Sequence, residues 1–65
     1  MKQKIKQAIL TILEKKRRDG DVLPYVTSIE VAHLLHSNAV EVEKIAKSIE
    51  GIHKGRTANY HYYYE

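Results

Sequence analysis

The sequence predicts a mainly α fold that closes with a small β-hairpin, an α+β domain in 65 residues. Three observations predict it. Ile5, Ala8, Ile9, Ile12 and Leu13 recur at the spacing of one buried helix face. The stretch VTSIEVAHLLHSNAVEVEKIAKSIEG, from Val26 to Gly51, carries two further helical patterns, split at Ser37-Asn38. After Gly51 the helical period stops, and IHKGRTANYHYYYE brings β-branched and aromatic residues around a turn-forming Ala58-Asn59.

The elements follow in order. Residues 2–18 form the first helix, uninterrupted by proline or glycine, with Lys15, Lys16, Arg17 and Arg18 at the negative end of its dipole. Leu10 lies about 120° from the centre of its apolar stripe and is partly exposed. Asp19-Gly20-Asp21 is turn chemistry, and Pro24 holds Leu23 in extended geometry. Val22 and Leu23 are expected to tuck beneath the first helix, and Tyr25-Val26 to make a very short strand. Thr27 with Glu30 has the form of a capping box, opening a helix that runs to about His36. Its inward face is Ile29 or Val31, with Ala32 and Leu35. Asn38 with Glu41 repeats the cap logic, so a third helix starts at Ala39. Val42, Ile45, Ala46 and Ile49 line its inner face, and Gly51 ends it with a left-handed residue. Two strands follow, 52–57 and 60–64, with Gly55 at a bulge or a close approach.

Composition bounds the function. The chain makes one domain, 1–65, and a domain of this size buries only about 60% of its unfolded surface. It has no cysteine, hence no disulfide and no thiolate metal site. No apolar run approaches the ~20 residues that span a bilayer, and the segment after Met1 is too short and polar for a signal peptide. A cytoplasmic protein with no membrane partner is the expectation. Eleven Lys and Arg against eight Asp and Glu give a net charge of +3, compatible with a polyanion partner.

The order helix, short strand, helix, turn, helix, hairpin resembles the winged helix-turn-helix family of DNA-binding proteins. Ala32 matches the small residue where the family's two helices cross, Val42 and Ile45 the branched residues ten and thirteen positions later, and Val31 and Leu35 the flanking apolar positions. Glycine is common in the family four residues after that alanine; this chain has His36. GRTANYHYYY resembles the Arg-rich wing of many small members. The resemblance implies a protein whose helix 39–49 enters the major groove of double-stranded DNA. Asn38 and Ala39 stand at its leading end, and Val40, Lys44, Lys47 and Ser48 on its outward face. Lys54 and Arg56 on the hairpin, with the basic end of the first helix, grip the backbone. A transcriptional regulator or a mobile-element accessory factor fits this reading.

Glu41, Glu43 and Glu50 flank that outward face and oppose phosphate binding. Glu41 and Glu43 are read as stabilising the first turn through the dipole and a cap. The alternative is a protein-interaction module of the same fold, contacting partners through the acid-flanked helix or the tyrosine strand. Tyr60, Tyr62 and Tyr64 share one side and are expected to pack on the helices, with Tyr63 open. An exposed tyrosine strand would also pair edge-to-edge with another copy, and Leu10 adds to the case for a homodimer. His33 and His36 share a helix face but lack further ligands for a metal. Ser28 and Ser37 are read as helix-start and turn residues. With no nucleophile, no phosphate-cradling glycine loop and no metal motif, neither an enzyme activity nor a cofactor or small-molecule ligand is expected.

Overall fold

The computed structural model describes all 65 residues. Helix α1 is Lys2–Arg18, with Ile5, Ala8, Ile9 and Leu13 buried along one stripe and Leu10 and Ile12 half-buried beside it. It closes as expected from turn chemistry. Gly20 has φ 101°, and the amides of Gly20 and Asp21 donate to Arg17 and Lys16 carbonyls, each at 3.0 Å. This is the paired closure of a Schellman motif. Val22 and Leu23 do not tuck beneath α1; they are 87% and 85% exposed. Pro24 takes the inward place instead, and the Lys16 ammonium holds the next residue by donating to the Tyr25 carbonyl at 2.6 Å.

Strand β1 is Val26–Thr27 and helix α2 is Ser28–Leu34. Both halves of the capping box are formed: Thr27 Oγ1 accepts from the Glu30 amide and Glu30 Oε1 accepts from the Thr27 amide, each at 3.1 Å. Val31 and Ala32 are buried, whereas Ile29 is exposed, so Val31 is the inward residue of that pair. The helix ends two residues earlier than expected. His36 has φ 54°, and the Ser37 and His36 amides donate to the Ala32 and His33 carbonyls at 2.8 and 3.3 Å. The chain thus makes a second Schellman closure, with histidine where glycine is the usual occupant.

Helix α3 is Ala39–Ala46, opened by Asn38, whose Oδ1 accepts from the Glu41 amide at 2.9 Å. It stops three residues short of the expected end. The Ser48 and Ile49 amides reach back three residues, to Ile45 and Ala46, which tightens the chain into a turn. Ile49 still enters the core, from that turn rather than from the helix. Gly51 has φ 83°, as its place predicts.

Strands β2, His53–Arg56, and β3, His61–Tyr64, complete an antiparallel sheet in the order β1-β3-β2. The three helices and three strands follow the expected order. The tyrosines divide the other way from the expectation. Tyr63 sits between Val26 and Lys54 and is 1% exposed, in the core, while Tyr62 and Tyr64 lie on the opposite sheet face. A shift of one residue exchanges the two faces of a strand. Here Val26, itself buried, fixes the choice by pairing with Tyr63. Gly55 pairs with Tyr62, and a Cβ there would collide with the Tyr62 ring, so the glycine serves a close approach. Because β3 is central, the tyrosine strand is not a free edge, and edge-to-edge pairing through it is ruled out.

A left-handed backbone costs an L-residue about 1–2 kcal/mol. His36→Gly is therefore expected to raise stability by about 1 kcal/mol, which moves the Tm up by roughly 4–8 °C in a domain of this size. A thermal melt followed by circular dichroism checks this. An unchanged or lowered Tm would mean that His36 is not left-handed.

Candidate nucleic-acid interface

Helix α3 turns Val42 and Ala46 inward and leaves Val40, Glu41, Lys44 and Lys47 exposed. Asn38 and Ala39 stand at its leading end; the Asn38 side-chain oxygen is occupied as the cap, and Ala39 is half-buried. Ser48, just past the helix, is exposed, but its hydroxyl donates to the Ile45 carbonyl at 2.9 Å. The Lys44 and Lys47 ammonium groups enter none of the four ion pairs of the chain. Val40 is 63% exposed, an apolar side chain held in water at the start of the helix.

Glu43 does not flank this face in the expected way, nor does it support the first turn. Its carboxylate is drawn between two other elements. Ser28 Oγ, at the start of α2, donates to Oε2 at 2.8 Å. The His61 Nδ1 on β3 lies 3.1 Å from Oε1. The Ser28 hydrogen bond holds the Glu43 carboxyl below its ordinary range; partial burial opposes this, and His61 adds to the lowering. Ser28 is fully buried, so its hydroxyl is a bridge between α2 and α3 rather than only a helix-start residue. Glu41 keeps the first-turn position that favours an acid.

The two hairpin cations differ. The Lys54 ammonium donates to the Ile49 carbonyl at 2.6 Å and the Ile52 carbonyl at 2.9 Å. It bonds two carbonyls in the turn after α3 and ties β2 to that turn, so it is anchored there rather than extended as the expected phosphate contact. Arg56 is exposed and free of ion pairs, opposite His61 on the same sheet face. It lines a shallow recess with Glu43, the turn residues 57–60 and His61, which places it beside α3.

The basic end of α1 is also largely committed. Lys16 pairs with Glu30 at 3.1 Å, Arg17 with Glu65 at 2.6 Å and Arg18 with Glu14 at 3.8 Å, leaving Lys15. Glu30 is held below its ordinary range; burial works against this and is outweighed by the Thr27 amide and Lys16. His33 and His36 are exposed, and no three His, Asp or Glu side chains gather where they could hold a metal ion. No helix is long and apolar enough to cross a membrane.

Sequence reasoning missed the Glu43–Ser28–His61 bridge. Its members are 15 and 18 positions apart, and no local pattern links a carboxylate to a serine and a histidine at those distances. Comparison with family models, with curated proteins and with solved structures gives no match.

Because the folded state lowers the Glu43 pKa from its ordinary 4.5, ionised Glu43 stabilises the fold above that pH, and the contribution is lost as the pH falls through the folded value. Glu43→Gln is expected to cost about 1 kcal/mol at pH 7. The cost shrinks as the pH falls below 4.5 and through the lowered folded value, where the parent loses the same contribution. Urea unfolding at several pH values checks this; parent and variant curves that run parallel would contradict it.

Proposed function

We propose that this protein is a small winged helix-turn-helix DNA-binding protein that reads the major groove with α3 and steadies itself with Arg56 on the β2–β3 wing. The carrying observation is the pair of unpartnered, exposed ammonium groups of Lys44 and Lys47, on a helix whose neighbouring acid, Glu43, is held against the sheet. The helix pair supports the reading. Ala32 and Val42 are buried across a four-residue connection, as two helices crossing at a small residue require. Eight helical residues span about 12 Å, the width of the major groove. Val40 at the leading end offers an apolar contact to a thymine methyl group.

Lys54 is left out of the phosphate grip in this reading, because two of its three N–H donors already bond carbonyls. Three free cations, Lys44, Lys47 and Arg56, remain near α3, with Glu41 and Glu50 exposed and opposing them. Affinity for random duplex is therefore modest and strongly salt-dependent. Roles as a transcriptional regulator or as an accessory factor of a mobile element both suit such a domain. The same exposed Val40 and Glu41 carry the alternative, a protein contact without DNA.

Fluorescence anisotropy with a mixed-sequence duplex across a salt series tests this. Three phosphate contacts give a slope of log K against log salt of about −3. Lys44→Ala and Lys47→Ala are each expected to flatten it by about one unit, whereas Lys54→Ala lowers thermal stability and leaves the slope alone. No binding at low salt, or a slope unmoved by either α3 substitution, would overturn the proposal in favour of a protein contact.

A further inference from the structure

We infer that the outer face of the sheet, together with the loop before β1, is a docking surface for a second copy of this chain. The inference stands apart from DNA binding, because it uses the sheet face opposite the one that packs on the helices.

The surface is apolar and held in place. Val22 and Leu23 are the most exposed large hydrophobic residues in the protein, at 87% and 85%. They flank a row of rings. Tyr25 meets Tyr62 edge-on at 5.7 Å, Tyr62 stacks on Tyr64 at 6.1 Å, and Tyr64 stacks on His53 at 5.2 Å. The loop is fixed at both ends: the Gly20 closure stands before it, and Pro24 is buried within it. Lys16 then bonds the Tyr25 carbonyl and lies 5.4 Å from the centre of the Tyr25 ring. Aliphatic side chains held in water at fixed positions regain hydrophobic free energy only when something covers them.

Charge decides what covers them. The chain carries +3, yet the groove beside Val22 and Leu23 is bordered by one cation and one anion, Arg17 and Glu65, which pair at 2.6 Å and are each about half exposed. The groove is locally neutral. It offers no excess of cations to a nucleic-acid backbone, which needs them. It does suit its own copy. A two-fold axis brings the same patch against itself, and a rim with one Arg and one Glu is then self-complementary: each Arg17 faces the partner's Glu65. Like-charged copies meet most easily through their neutral face.

The contact is face to face. The β1 edge is only two residues long, too short to carry a ladder to another chain. Two sheets stack at about 10 Å through interdigitated side chains, which is what Tyr62 and Tyr64 present. A standard interface takes about 800 Å² from each partner, roughly a sixth of this chain's 4606 Å² surface. The rings must therefore take part along with Leu23 and Val22.

Sedimentation equilibrium from about 10 µM to 1 mM, without DNA, tests this. The parent is expected to pass from one chain to two across that range. Leu23→Glu is expected to stay a single chain with an unchanged circular dichroism spectrum and melt. Arg17→Glu alone and Glu65→Arg alone are expected to be monomers, and their equimolar mixture to associate, since only the mixed pair restores opposite charges across the axis. A parent that stays monomeric throughout, a Leu23→Glu variant that associates undiminished, or a mixture that stays apart would each overturn the inference. Tyrosine quenching of a monomeric parent by a single-stranded oligonucleotide would reassign the face to nucleic acid. Because no duplex is present, none of these outcomes bears on the reading of α3.

Discussion

The left-handed backbone at His36 is the constraint on which the rest of the structure depends. It ends α2 after seven residues, about two turns, and lets Asn38 start α3 in a new direction. Val31 and Val42 are eleven residues apart, so on one continuous helix they would share a stripe but stand about 16 Å from each other. The bend brings both into the same core with Ile5, Ile9 and Leu13. A chain this short cannot fill two cores. The cost of placing a histidine in a glycine conformation is offset by the apolar surface that the bend buries.

With α3 placed by the bend, two polar ties set the hairpin against it. Glu43 accepts from Ser28 and lies within bonding distance of His61, so one carboxylate joins α2, α3 and β3. Lys54 fixes β2 to the carbonyls that follow α3. Hydrogen bonds to charged groups are stronger than neutral ones, and these are partly shielded from water. The ties also shape the surface. Glu43 is removed from the solvent face of α3, and Lys54 from the pool of free cations. What remains exposed is Lys44, Lys47 and Arg56 near α3, and a neutral, aromatic sheet face elsewhere. A contact between copies through that neutral face would leave the cationic one open.

Much of the fold was legible in the sequence because it is written in local chemistry. The α1 stripe, the Thr27–Glu30 box, the Asn38 cap and Gly51 each act over a few residues. The break at 36–38 was legible only through its caps, since the apolar period runs on in phase across it. What local chemistry leaves open is which of two equivalent faces is buried. Alternation separates Tyr63 from Tyr62 and Tyr64, but only the pairing with Val26, 37 residues away, decides between them. The candidate site was legible to the same degree. Lys44 and Lys47 face outward because helical angle places them there. The commitments of Glu43, Lys54, Lys16 and Arg17 are made with residues or carbonyls that the fold brings near, and no spacing rule announces them. Val22 and Leu23 are the reverse case: apolar residues that composition would bury and that the fixed loop holds in water.

The central claim is that the bend turns Lys44 and Lys47 outward on a free surface that Arg56 flanks. Amide and side-chain NMR shifts recorded while a short duplex is titrated in at low salt test it most directly. The predicted result is a set of shifts confined to 38–48 and 56, with a positive φ reported at His36 and with Tyr62 and Tyr64 unmoved. Shifts centred on the sheet face or on the basic end of α1, or couplings at 35–38 that fit an unbroken helix, would contradict it.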